Sequence, residues 1–236
     1  MAAALPGIEM CVFDAYGTLF DVYSVALLAE QLFPSQGDAL AVLWRDKQIE
    51  YTRLVTTSDH GAHYQPFWQL TRQALTYAIK RLVPVARTDW AAFEARATQL
   101  LNQYRHLSAY PENREVLKAQ RARGVATGIL SNGDPEMLGI AVRSAGLDGL
   151  LDHVISVDPI RKFKTHPDAY AMGEQTTGLP RSQILFVSSN GWDALAATWY
   201  GFRTLWVNRQ NLPFEEMGTP PTRTGSSLRD VLAFFP

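Results

Sequence analysis

An aspartate stands at position 14, directly after the apolar run Ile8 to Phe13, with Gly17 and Thr18 three and four residues on. A strand that ends on a carboxylate and breaks into a glycine turn sets an anionic oxygen at a sheet rim, among backbone N–H groups. That arrangement suits a carboxylate nucleophile, which replaces one hard displacement by two easier steps. The Thr18 hydroxyl is spaced to fix the Asp14 rotamer, and the N–H groups of the turn can hold the nucleophile or its substrate. Two further apolar runs end in the same manner: Val125 to Leu130 stops at Ser131, and Ile184 to Val187 stops at Ser188. One polar residue closing a strand means little. Three strands delivering a carboxylate and two hydroxyls to one rim make a reaction site the better reading.

Those residues need a scaffold. After Pro111 short apolar runs alternate with amphipathic stretches: Glu112 to Arg123, Pro135 to Ala145, Pro167 to Thr177 and Trp192 to Tyr200 read as helices. Glycine follows each, and Pro167 opens one, as helix ends and starts favour. His153 to Val157 and Phe202 to Val207 read as further strands, Leu228 to Phe235 as a last short helix, and Pro213 to Gly225 as a surface loop. From Val22 to Arg105 the spacing is helical throughout, broken by a loop at Thr56 to Gln65. The expected fold is therefore α/β: a doubly wound, Rossmann-like parallel-sheet core of residues 7–20 plus 106–236, with a helical cap of residues 21–105 inserted after the first strand. In such cores ligands bind at the carboxyl ends of the strands, where Asp14, Ser131 and Ser188 lie.

The 236 residues carry 22 Lys+Arg against 23 Asp+Glu, a net charge of −1, which argues against a nucleic-acid partner. A hydrophobic fraction of 47% excludes a disordered chain. No run approaches the roughly 20 apolar residues of a membrane span. Met1 to Gly7 lacks a cationic and apolar leader pattern. The single cysteine, Cys11, rules out an internal disulfide and reads as a buried core thiol. The expectation is a cytoplasmic protein. The histidines at 60, 63, 106, 153 and 166 show no metal-ligand spacing and read as loop or surface residues.

Asp14-Ala15-Tyr16-Gly17-Thr18-Leu19-Phe20-Asp21-Val22 resembles the signature of the L-2-haloacid dehalogenase family, within the haloacid dehalogenase superfamily. Leu43 to Thr52 resembles the family's arginine-bearing cap helix, and Leu130-Ser131-Asn132-Gly133, Lys164 and Phe186 to Asp193 resemble its later motifs in order. The resemblance implies that Asp14 displaces halide from a short (S)-2-haloalkanoic acid, and that water then opens the Asp14 ester to release an (R)-2-hydroxyalkanoic acid. It assigns Thr18, Arg45, Ser131, Lys164, Tyr170, Ser188, Asn190 and Asp193 to the catalytic set with Asp14. Arg45, with Asn132 beside it, receives the halide. Asp193, helped by Ser188 and Asn190, holds the hydrolytic water, and Tyr170 orients Lys164 or the nucleophile. Ala15, Tyr16, Ser131 and Asn132 bind the substrate's polar end, and Tyr16, Ile49, Phe67 and Trp192 wall its alkyl part. No cofactor and no metal are implied, and the family's habit implies a homodimer.

Two other readings stand beside this one. A magnesium-dependent phosphatase or phosphonatase-like hydrolase of the same superfamily carries a second aspartate where this chain has Tyr16, whose phenol is a poor carboxylic-acid substitute. A non-catalytic binder of small carboxylates has no use for Asp14 beside an anion. Three positions depart from the family: Thr165 stands where many relatives have Pro, Asp46 where a neutral amide is common, and Gly191 where Ala is common. None removes a catalytic group.

Overall fold

The computed structural model describes residues 7–235, so the expectation about the first residues lies mostly outside them. The strands are β1 (Met10–Phe13), β2 (Ala126–Ser131), β3 (His153–Ser156), β4 (Ile184–Ser188), β5 (Arg203–Val207) and β6 (Arg223–Gly225). They form one sheet in the order β3-β2-β1-β4-β5-β6, each neighbouring pair parallel. β1 and β4 are buried along their whole lengths, which explains their unbroken apolar runs.

Parallel neighbours require crossovers, and the helices supply them. These are α1 (Ala26–Leu32), α2 (Gly37–Thr57), α3 (Phe67–Leu82), α4 (Ala91–Arg105), α5 (Asn113–Ala122), α6 (Pro135–Ser144), α7 (Pro167–Thr177) and α8 (Gly191–Tyr200). The chain winds outward from β1 through β2 to β3, then returns to the other side of β1 as β4. The direction of winding reverses between β1 and β4, and a crevice opens there at the carboxyl ends. Phe13 is in register with both Ile129 and Val187, so Asp14 emerges level with the ends of β2 and β4.

Helices α1 to α4 all lie between β1 and β2, and no strand of the sheet interrupts them among the described residues. α2 buries Leu40, Ala41, Trp44 and Gln48, while α3 buries Phe67, Leu70, Ala74 and Ile79. The two connections to the sheet run side by side, bridged at Phe20 and Ala109 and bonded from Asp21 N to Ser108 O at 2.8 Å.

Three local expectations change. α2 continues to Thr57, into the stretch read as loop, and is followed by a 3-10 turn at Ser58–Gly61. Arg223–Gly225, read as loop, is β6; three mixed residues carry no strand signal of their own and become a strand by pairing with β5. The final helix is of the 3-10 type, Leu228–Phe234, held at its start by a Ser227–Asp230 capping box.

Candidate active site

Asp14 leaves β1 almost buried, with its N–H donating to Val187 O at 2.9 Å. Its carboxylate accepts three side-chain hydrogen bonds. Thr18 Oγ1 and Asn190 Nδ2 donate to Oδ2 at 2.9 and 2.8 Å, and Lys164 Nζ donates to Oδ1 at 3.1 Å. The turn that makes this possible needs Gly17, whose φ of +94° lies in the left-handed region and whose missing side chain leaves room for the Asn190 amide. Thr18 Oγ1 in turn accepts from Ser189 N at 2.8 Å, so its proton is left to face Asp14.

Lys164 is 1% exposed and lies between two carboxylates, 3.1 Å from Asp14 Oδ1 and 3.0 Å from Asp193 Oδ2, with the Phe186 ring below it at 4.8 Å. A buried ammonium is tolerable only when paired in this way. Asp193, in the first turn of α8, also accepts from Ser188 Oγ at 3.1 Å and from Tyr170 Oη at 2.7 Å. Burial lifts the Asp193 carboxyl to about 6; Lys164 pulls it down, the Asp14 charge pushes it up again, and the Tyr170 bond lowers it. Tyr170 thus grips Asp193, whereas the partners expected from the sequence were Lys164 and the nucleophile Asp14. Its phenol is driven well above the usual range, by burial first and then by the Asp193 charge, and stays a hydrogen-bond donor. The ammonium occupies the space between the Asp14 and Asp193 carboxylates.

Arg45 comes from the middle of α2 and reaches the sheet. Its Nη2 donates to Tyr16 O at 3.1 Å and to Asn190 Oδ1 at 3.3 Å. Glu50, on the same helix, bonds Lys47 at 2.7 Å. A residue the sequence did not single out aims the guanidinium. Gln48, one helical turn on and buried, accepts from Arg45 Nη1 at 2.8 Å and from Tyr104 Oη at 3.1 Å, and donates to Thr71 Oγ1 at 2.6 Å. Its spacing of three from Arg45 was the available signal.

The remaining predicted residues surround this centre unevenly. Tyr16 is buried, stacked on Tyr104 with centroids 5.8 Å apart and lying 5.6 Å from Phe67. Burial pushes its phenol well above its ordinary value, which further disqualifies it as an acid. Gly133 admits the Tyr16 ring, because a Cβ there would lie 2.8 Å from it. Ser131 is buried at the end of β2 and accepts from Gly133 N at 3.1 Å. Asn132 Oδ1 accepts from Lys164 N at 2.9 Å, so it sets the lysine backbone, while Arg45 has Asn190 as its amide neighbour. Ala15 is fully buried, its carbonyl accepting from Leu19 N at 2.9 Å. Ile49 and Trp192 line a cavity of about 690 Å³ whose wall also includes Gly17, Arg45, Asn190 and Arg53. The geometry is that of a carboxylate held for attack, with a cation on one side and a guanidinium–amide pair on the other.

Known proteins fit this arrangement. The family model for haloacid dehalogenase-like hydrolases matches residues 8–201. An (S)-2-haloacid dehalogenase of Pseudomonas putida is 41% identical over 95% of this chain and 96% of its own length. The crystal structure of an L-2-haloacid dehalogenase superimposes with a TM-score of 0.90 at 54% identity, covering 97% of this chain and 98% of that one. A second, the L-2-haloacid dehalogenase of Xanthobacter autotrophicus with chloropropionic acid covalently bound, gives a TM-score of 0.83 at 34% identity over 95% and 96% of the two chains. On matches of this length and identity, the chain belongs to the (S)-2-haloacid dehalogenase family of the haloacid dehalogenase-like hydrolases.

Proposed function

We propose that the protein hydrolyses short (S)-2-haloalkanoic acids to (R)-2-hydroxyalkanoic acids and halide through an ester of Asp14. The observation that carries this is the Asp14 carboxylate at the sheet's reversal point, held by Thr18, Asn190 and Lys164, with Arg45 brought in beside it. One Asp14 oxygen attacks C2 in line with the carbon–halogen bond. The bonding pair leaves with the halide towards the N–H donors of Arg45, and C2 inverts. Ser131, Asn132 and the N–H groups of Ala15 and Tyr16 receive the substrate carboxylate, and Tyr16, Ile49, Phe67 and Trp192 face its alkyl part.

Water then attacks the Asp14 carbonyl carbon, not C2. The ester C–O bond breaks, the leaving alkoxide takes up the proton that Asp193 has accepted from the water and departs as the hydroxy acid with the original Asp14 oxygen, and the water oxygen stays on Asp14. Asp193, held by Ser188, Lys164 and Tyr170, accepts the water proton, with Asn190 alongside. The magnesium-dependent phosphatase reading is weaker because Lys164 bonds both Asp14 and Asp193.

Residues 21–105 act as a cap over the core of residues 7–20 plus 106–236, bringing Arg45 to the nucleophile. A cytoplasmic homodimer completes the reading; the exposed apolar side chains of Leu27, Val42 and Tyr77 on the helices of the cap support the pairing. Sedimentation velocity tests it: a single species at the monomer mass rejects the dimer.

The deciding experiment is halide release from racemic 2-chloropropionate in EDTA, followed by a single turnover in oxygen-18 water. Consumption of one enantiomer is expected, with the label on Asp14 and absent from the first product. Halide release that needs added magnesium, or label in that product, rejects the mechanism.

A further inference from the structure

Arg209 lies two residues beyond β5, outside every motif so far assigned to the reaction, yet it ties together the loops that hold Asp14. Its Nη1 donates to Ser189 Oγ at 2.6 Å and its Nη2 to Thr18 O at 3.2 Å. The guanidinium also bonds Glu112 Oε1, at 3.3 Å from Nε and 3.0 Å from Nη2, and stacks 3.7 Å from the centre of the Tyr110 ring. Both partners of the ion pair are largely buried, with side chains 17% and 8% exposed. Tyr110 and Glu112 belong to the connection that returns from α4 to the sheet. One planar fork therefore joins the loop after β1, the loop after β4, the loop after β5 and the returning connection.

We propose that Arg209 is a positioning residue for the nucleophile, acting through Thr18 and Ser189. This rests on the reading of Asp14 as nucleophile. The Thr18 hydroxyl rotates freely unless its lone pair is engaged. Ser189 N engages it at 2.8 Å, which leaves the Thr18 proton for Asp14 Oδ2 at 2.9 Å. Arg209 grips both partners of that contact, Thr18 by its main-chain carbonyl and Ser189 by its side chain. Without the fork the two loops keep only the Ser189–Thr18 contact and the Asn190 bonds to Asp14 and Tyr16, and the Asp14 carboxylate is held less firmly in its attack direction. Lysine keeps the charge for Glu112 but offers a point donor that does not span Ser189 and Thr18 together. A role confined to pairing Glu112 is therefore separable from positioning.

The test compares wild type with R209K, R209Q, T18V and R209Q/T18V, using halide release and thermal melting. R209K is expected to melt near wild type and to lose about tenfold in kcat, with KM changed less than about twofold. R209Q is expected to lose at least as much kcat, and in the T18V background to cost nothing more, because both act on one contact. A wild-type kcat in R209K, or losses that multiply in the double variant, overturns the proposal. A second readout is independent of turnover. Trp206 Nε1 donates to Ser189 O at 3.2 Å, so its indole N–H resonance, assigned with W206F, reports the tethered loop. That resonance is expected to move in R209K and R209Q; an unmoved signal overturns the tether. If wild type releases no halide, the proposed function falls and the indole resonance still decides whether Arg209 holds the loop.

Discussion

Arg45 and Asn190 meet at 3.3 Å although 145 residues separate them, one on the second helix of the inserted block and the other at the start of α8. The contact joins the inserted helices to the loop that also bonds Asp14. It sets a cationic donor beside the loop that holds Asp14, where a departing anion would need one.

Arg45→Lys keeps the charge and loses the fork that spans Gln48, Tyr16 O and Asn190. A fall in kcat of about a hundredfold is expected, in the range found for loss of one donor to a developing anion. Gln48→Leu leaves Arg45 present but unaimed, and a smaller fall of about tenfold is expected. Initial rates of chloride release check both, and equal kcat in all three proteins would remove Arg45 from the reaction.

Lys164→Met leaves Asp14 and Asp193 buried without the cation between them. Breaking a buried ion pair from one side costs about 3–5 kcal/mol. The expected result is loss of turnover together with a lower urea midpoint at neutral pH, read by far-ultraviolet circular dichroism. The midpoint should recover partly in acid, where protonation relieves the unpaired carboxylates.

In the proposed mechanism the Asp193 carboxyl, lifted to about 6 chiefly by burial, must be ionised to take a proton from water. As pH falls through about 6 it gains a proton and kcat should fall with it; above that value kcat should level. Tyr170 donates to the ionised form, so Tyr170→Phe removes an influence that lowers the value. The acid limb of the kcat profile should move to higher pH in that variant. An unmoved limb would assign it to another group.

Gly133→Ala puts a methyl 2.8 Å from the Tyr16 ring and 3.2 Å from Leu138. Overpacking of this kind costs about 1–3 kcal/mol. Tyr16 must shift, and with it the wall proposed for the substrate's alkyl part. A lower melting temperature and a raised KM for 2-chloropropionate are expected, with kcat affected less than KM.

Much of this molecule is written locally. Apolar-rich strands ending at Asp14, Ser131 and Ser188, with Pro167 opening one helix and glycines closing others, specify the parallel core without reference to anything distant. Asp14 and Thr18 were legible because they lie at a strand end and in the glycine turn after it, whereas Lys164 and Asp193 were reached through the resemblance to the family's later motifs. What the order of residues does not carry is the pairing between segments. β6 exists only because β5 offers an edge. Gln48 and Arg209 have no unusual local surroundings, and their importance appears when Tyr104 or Thr18, 56 and 191 residues away, is brought to them. The same holds for Tyr170, which meets Asp193, and for Asn132, which meets the Lys164 backbone. Residue types and turn chemistry determine which groups reach the rim of the sheet. Close packing of separate elements, with every buried polar atom seeking a partner, decides which of those groups face one another.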